Sequence, residues 1–199
     1  RRGGILAAMA TVPDDEFLRT RRMVLRVLRP GDVFDLQRLG RDPRVSAALL
    51  DAPVDDIASA AALVETARRI HRERPGLGLW RADDAQGFLG FFSLMAELDP
   101  GEVELGARLL PRAWGRGYSL EGAAALCAHA FGTLGLPSLV GLCDPSNRSV
   151  PPALARLGFR PDGTAEQFGR PAMRMRLLRG EWRGLRPRRG QPPGALEST

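Results

Sequence analysis

The segment Pro111-Arg112-Ala113-Trp114-Gly115-Arg116-Gly117-Tyr118-Ser119 holds the residues of this chain best suited to chemistry. Two glycines one residue apart let the backbone turn tightly and come close to a ligand. Before the segment, Glu102 to Leu110 alternates as a strand does, and after it a helical stretch runs from about Ser119 to Leu134. The first turn of such a helix presents free N–H groups, and its aligned peptide dipoles make that end positive. A loop built this way holds an anion, and a diphosphate suits it. Arg112 and Arg116 can add side-chain charge to the same anion.

Spacing separates the ligands that use such loops. A Walker-type nucleotide loop needs Gly-Lys-[Ser/Thr], and the chain contains no lysine. A dinucleotide fingerprint needs a third glycine where Leu120 stands, and an acid about 20 residues further on at a strand end. Neither is present. The pattern that remains is [Gln/Arg]-x-x-Gly-x-[Gly/Ala], met by Arg112, Gly115 and Gly117.

The elements that must position this loop follow from periodicity and breakers. Arg21 to Leu28 alternates as a strand, and Pro30-Gly31-Asp32 leads into a short helix through Leu39. A longer helix runs from about Val54 to Arg74, with acids in its first turn and arginines in its last, as the helix dipole favours. Strands follow at Leu77 to Arg81, Gly87 to Glu97 and Glu102 to Leu110. After the loop and its helix come a strand over Ser138 to Cys143, a short helix opened by Pro151-Pro152, and a closing hairpin, Phe159 to Phe168 and Ala172 to Leu178. The expected fold is α/β in the mixed α+β sense: a mostly antiparallel sheet of seven strands with about four helices on both faces.

Composition bounds the rest. With 44% hydrophobic residues in 199, one domain with loose ends is expected: a flexible segment over 1–18, a domain over 19–180, and a disordered basic tail over 183–199. The net charge of +6 sits at the ends, with five Arg against three acids in residues 1–22 and five against two in 179–199, leaving the body at +1. A nucleic-acid partner is therefore not expected. No run approaches the ~18 apolar residues of a membrane span, and the start is too short for a secretory segment, so no membrane partner and a cytoplasmic location are expected. Cys127 and Cys143 lie in apolar segments with no ligand-spaced His or Cys, which predicts core thiols and no metal site. His71 and His129 read as structural or solvated, not catalytic.

Several segments, in order, resemble the GNAT acetyltransferases, in the branch named for the ribosomal-protein alanine N-acetyltransferases (RimJ/RimL-like). Thr20-Arg21-Arg22-Met23-Val24-Leu25-Arg26 resembles that branch's opening strand, with Asp32 after it. Gly87 to Phe91 and Val103 to Leu110 are similar to its third and fourth strands. Trp114-Gly115-Arg116-Gly117-Tyr118-Ser119-x-Glu121 is similar to its cofactor loop, and Leu157-Gly158-Phe159 to the end of its fourth helix. The resemblance implies a sheet splayed between its fourth and fifth strands, with acetyl-CoA as cosubstrate in the gap. Backbone near Leu109 and Leu110 would take the thioester region and residues 115–119 the pyrophosphate, so that Arg112, Trp114, Gly115, Arg116, Gly117, Tyr118 and Ser119 count as cofactor-binding, Trp114 and Tyr118 by packing the loop. Asn147 matches a cofactor-facing Asn, and Arg156 stands where a basic residue often meets the nucleotide; otherwise they are a loop Asn and a solvated helix Arg.

Acyl transfer to an amine needs a base, an oxyanion donor and a proton for the departing thiolate. Glu104 is the candidate base, or else it only hydrogen-bonds its surroundings; alternation places Glu102, Glu104 and Gly106 on one face. Where the branch has Ser three residues after its Asn, this chain has Val150, with Ser149 one place early. Ser149 either reaches the sulfur as general acid or caps the next helix. The expected function is N-acetyl transfer from acetyl-CoA to a primary amine, a protein N-terminus or a small molecule, by direct attack in a ternary complex. The alternative is a non-catalytic acyl-CoA-binding regulatory module. Family members are often dimers, so a homodimer is carried over as an assembly state that no segment dictates. A thermal-shift comparison checks the ligand class: acetyl-CoA raises Tm while ATP and NAD do not, and no shift with acetyl-CoA defeats the reading.

Overall fold

The computed structural model describes residues 16–47, 49–96 and 102–185. Its sheet runs in the order β1 (Glu16–Arg19), β2 (Val24–Val27), β3 (Gly78–Asp84), β4 (Gly87–Ala96), β5 (Val103–Leu109), β6 (Ser138–Cys143), β8 (Arg170–Leu178), β7 (Arg160–Gln167). Every neighbouring pair is antiparallel except β5 and β6. The sequence count of seven strands is one short, because Glu16–Arg19 pairs with β2 where a flexible segment was expected. Phe17 explains that strand: its ring stacks on buried Trp80 at 4.2 Å and meets His129 edge-on at 4.8 Å. At the other end, Trp182 and Leu185 pack on the core, so the ordered chain passes residue 183. Residues 1–15 and 186–199, which carry the rest of the expected loose ends, lie outside the described residues.

Helices cover both faces. α1 (Val33–Arg41), α2 (Pro43–Ser46) and α3 (Ile57–Glu73) lie before β3 in the chain, and α4 (Tyr118–Gly132) and α5 (Val150–Leu157) flank β6. The earlier helices close a core of Leu36, Leu39, Val45, Ala60, Val64 and Ala67 with Leu79, Phe88 and Phe91. The later ones close a larger core on the opposite face with Leu25, Trp80, Phe92, Leu94 and Leu105. The sequence run over 54–74 begins its helix only at Ile57, because Asp56 and Ser59 form a reciprocal cap there. The carbonyls that accept from both histidines explain why these are structural: His71 Nε2 donates to Leu79 O at 2.8 Å, and His129 Nε2 to Gly76 O at 3.0 Å. Buried Asp32 anchors α1 to the sheet through Arg26 (2.8 Å) and Arg81 (2.9 Å).

Helix α4 lies against the sheet at Gly122. A Cβ there would come within 2.2 Å of the Phe92 ring, which is fully buried and cannot withdraw. Alanine ordinarily favours a helix over glycine by about 1 kcal/mol. The overpacking cost of about 1–3 kcal/mol outweighs that gain here. Gly122→Ala is therefore expected to lower the urea midpoint, and a stabilised variant contradicts this packing.

Candidate active site

Strands β5 and β6 run parallel and share one register pair, Glu104↔Val140. Beyond it they part. The direction of the exposed main chain follows from β4. Leu110 N–H donates to Leu89 O at 2.7 Å, so the even-numbered residues of this stretch turn their main-chain groups to β4. Ala107 and Leu109 turn theirs the other way, into the gap left by β6. Ala107 is exposed in mid-strand, as a residue facing an open cleft must be. The expectation for Leu110 is corrected here: its N–H is engaged by Leu89, and its carbonyl accepts from Ala113 N–H. Leu109, like Ala107, turns its main chain to the gap. Strand alternation counted from Leu109 contained that signal.

The glycine loop follows at the open end of the cleft. Gly115 and Gly117 both take left-handed φ, 70° and 81°, which side-chain-bearing residues rarely adopt. Gly117 precedes α4, and the first helical bond runs from Glu121 N–H to Gly117 O. No side chain caps this end, so the N–H groups of Tyr118, Ser119 and Leu120 are left for a ligand. Gly115, Arg116 and Ser119 are exposed around them. Trp114, 47% exposed, fixes the loop's entry by donating its Nε1–H to Leu109 O at 2.9 Å.

Side chains brace the loop from behind. Arg112 is not available to an anion as expected: its guanidinium spans Asp84 (3.0 Å) and the carbonyls of Gly87 (2.8 Å) and Phe88 (2.9 Å). Tyr118 OH donates to the same Asp84 at 2.9 Å. One carboxylate of β3 thus holds both ends of the loop. On the other side Glu121 accepts from Thr20 Oγ1 (2.6 Å), Arg22 N–H (2.8 Å) and Arg22 Nε (2.7 Å). Sequence reasoning missed Asp84 as a site residue and treated Arg22 and Glu121 only as family matches. The partners lie 28 to 101 residues apart, so no local pattern shows them.

Asn147 and Ser149 bond to each other. Asn147 Oδ1 accepts Ser149 N–H at 3.1 Å and the Ser149 hydroxyl at 2.8 Å. The capping role for Ser149 is therefore wrong: it stands at the N-cap position of α5, but its side chain caps no N–H of the helix and its hydroxyl turns back to Asn147. Arg156, on α5, keeps its Nε buried without a hydrogen-bond partner. Such a donor calls for an acceptor, and a phosphate oxygen meets that need.

Glu104 sits half-buried at the last paired position before the strands part. On its face of the sheet, Arg108 reaches Asp51 at 2.7 Å. Arg170 joins Leu49 O (2.5 Å) to Asp144 (2.8 Å), so the segment before α3 is tied to both sides of the cleft mouth. Glu102 is committed to Arg174 (2.6 Å) and Arg176 (2.5 Å), whose cations hold its carboxyl below the ordinary range despite some burial. Burial pushes the thiols of Cys127 and Cys143 up, the latter with help from Asp144. Among the described residues no His, Cys, Asp and Glu group is placed to hold a metal, and no helix is long and apolar enough to cross a membrane.

A split between parallel strands opening onto an uncapped glycine loop has the shape and the free N–H groups that an extended diphosphate ligand needs. The profile of the family described as "Acetyltransferase (GNAT) domain" matches residues 22–160, across this site.

The chain belongs to the GNAT acetyltransferase family.

It is thus an acyl-CoA-dependent acetyltransferase. It is 25% identical over 157 residues to an uncharacterised N-acetyltransferase p20 of Bacillus licheniformis, covering 77% of this chain and 87% of that protein. A crystal structure of an acetyltransferase from Agrobacterium tumefaciens str. C58 is 28% identical, with a TM-score of 0.70 over 80% of this chain and 92% of that one. A spermidine N-acetyltransferase from Vibrio cholerae, solved with CoA and spermine, shares the fold at 19% identity, with a TM-score of 0.66 over 80% and 97% of the two chains. The cofactor expected of the family fits the residues present. Free N–H groups at α4, the main chain of Ala107, the Leu109 N–H and the orphaned Arg156 Nε all lack acceptors or donors that acetyl-CoA carries.

The Asp84 carboxyl lies below its ordinary value of 3.8, mainly through the Arg112 bonds, against a smaller opposing effect of burial, and with help from Gln86 N–H and Tyr118. A depressed acid stabilises the fold above its unfolded pKa, and that stability is lost as pH falls through the folded value. Asp84→Asn is therefore expected to lower stability by a constant amount at neutral pH. The gap from wild type should close only below about pH 4, as urea titrations at several pH values would show. A gap that closes near neutrality contradicts the Arg112–Asp84 brace.

Proposed function

We propose that this enzyme is a RimJ/RimL-like N-acetyltransferase that moves the acetyl group of acetyl-CoA directly to a primary amine in a ternary complex. The observation that carries the reading is the open edge of β5 leading to the uncapped start of α4. Acetyl-CoA supplies an activated thioester. Ala107 and Leu109 hold it along β5, and a main-chain N–H of this edge polarises its carbonyl. Gly115 to Ser119 receive the diphosphate, Asn147 and Arg156 lie toward the rest of the cofactor, and Arg112 acts by holding the loop rather than by touching it.

Glu104 takes the proton of the incoming amine, directly or through water, from the face that Asp51, Arg108 and Arg170 enclose. Ser149 is the hydroxyl nearest in sequence to a donor for the thiolate, and it serves that role on turning away from Asn147. Direct attack is favoured over an acyl-enzyme on a cysteine. Both thiols are buried and pushed toward the neutral form, which is a poor nucleophile. The acceptor is a protein N-terminus or a small amine, admitted through the mouth between the segment before α3 and the β7–β8 turn.

Thiol release from acetyl-CoA, measured with a panel of small amines and N-terminal peptides, tests the reading. Turnover is expected on at least one acceptor. Glu104→Gln should lower kcat about 100-fold or more while leaving the acetyl-CoA KM near wild type. Tight CoA binding without turnover on any acceptor supports a non-catalytic module instead, and full kcat in the Gln variant removes Glu104 as the base.

A further inference from the structure

We infer that Arg22, in the turn between β1 and β2, is the positioning residue of the diphosphate loop. It aims the Gly117 N–H at the ligand and neutralises the Glu121 carboxylate beneath it. The inference rests on the reading of residues 115–119 as the diphosphate site.

One side chain meets three parts of the loop and its helix. Arg22 Nη1 donates to the Arg116 carbonyl at 2.9 Å, Nε donates to Glu121 Oε2 at 2.7 Å, and the guanidinium carbon lies 4.3 Å from the centre of the Tyr118 ring. The described chain has no cis peptide bonds, so the carbonyl of residue 116 and the N–H of residue 117 point in opposite directions. Holding that carbonyl on Arg22 therefore turns the Gly117 N–H away from Arg22, toward the outer side where the first N–H groups of α4 are unpaired. Gly117 itself, at a left-handed φ of 81°, gives this peptide no side chain that would hold its orientation. Without the bond, the peptide between Arg116 and Gly117 can rotate and present its carbonyl oxygen to a diphosphate. An attraction would then become a repulsion.

Charge makes the second contribution. Glu121 lies in the first turn of α4, below the expected anion, with its side chain only 17% exposed. A bare carboxylate there would oppose a diphosphate through a medium that screens poorly. Arg22 supplies one opposing charge, and its own N–H and the Thr20 hydroxyl occupy the other oxygen. Burial works to raise the Glu121 pKa, yet these bonds together bring it below its ordinary value, so the pair remains ionic. The two jobs need a fork. An ammonium at the same place has one nitrogen and cannot serve both Glu121 Oε2 and the Arg116 carbonyl in the same geometry.

The test compares two acetyl donors, acetyl-CoA and acetyl-pantetheine, the second lacking the diphosphate and nucleotide. With an amine acceptor that turns over, Arg22→Gln is expected to raise the KM for acetyl-CoA about 10-fold or more, the scale of a lost charged hydrogen bond. Its kcat and its kcat/KM with acetyl-pantetheine should remain within about two-fold of wild type, because the lost contact concerns only the diphosphate. Arg22→Lys should fall between the two, since it restores the charge but not the fork. Arg22→Gln with Glu121→Gln should recover part of the acetyl-CoA KM. Calorimetric affinity for CoA gives the same ranking without an acceptor, and if the Gln variant does not fold, the Lys variant carries the test. Equal losses with both donors mean a purely structural role and overturn the inference, as does an unchanged acetyl-CoA KM in Arg22→Lys and Arg22→Gln. Wild-type protein that binds CoA no better than pantetheine overturns the diphosphate reading itself, and the inference with it.

Discussion

Two parallel strands that part after one register pair create a problem that the rest of this molecule answers. Main-chain N–H and C=O groups in a sheet's interior need partners, and a strand that leaves its neighbour exposes a row of them. Between β5 and β6 the pairing ends at Glu104↔Val140, and Ala107 and Leu109 face the gap. Trp114 satisfies one carbonyl through its indole N–H. The others are left for a ligand, and the cleft becomes a strand-shaped vacancy in the sheet. The split persists because both strands are anchored elsewhere. β5 is fully paired along β4, and β6 along β8.

The glycine loop meets the same constraint from another direction. A helix start without a cap has N–H groups in want of acceptors, and left-handed glycines have little intrinsic preference to hold one shape. Such a loop gains a defined form only from what surrounds it. Here Asp84 gathers Arg112 and Tyr118 on one side, while Arg22, Thr20 and Glu121 interlock on the other. The side chains that brace the loop are charged, yet each charge has a partner. The bracing arginines are thus committed to the protein, and what the loop leaves open is the oriented peptide dipoles of α4 and the exposed Arg116.

The side proposed to admit the acceptor is built from different material. Its rim consists of arginine–carboxylate pairs joining segments far apart in sequence, Arg108 with Asp51 and Arg170 with Asp144 and Leu49 O. Paired charges of this kind shape an opening without giving it a strong net sign. That arrangement suits a site where an amine must shed a proton on entering, because a strongly anionic mouth would hold the amine in its charged form.

How much of this was legible in the sequence depends on the range of the interaction concerned. Local signals determined the loop, the helix after it and the strand before it. Glycine spacing, the missing lysine and Leu120 are facts about neighbours, and neighbours along the chain are neighbours in space. Periodicity placed Ser138–Cys143 without error and the other expected elements to within a few residues, while the one-turn α2 after Asp42 was missed. Family-like motifs then named the ligand, and the matching family profile bore out that part. Tertiary structure alone decided which arginines are free and which are braces. Arg112 looked like an anion ligand until the β3–β4 turn closed around it. Ser149 looked like a cap until Asn147 took its hydroxyl. β1 was invisible because four residues carry too little periodicity, and what holds it, pairing with β2 and the Phe17 ring on Trp80, is set by the fold. A side chain's partner is set by where the fold brings the chain back, and no local pattern encodes that return.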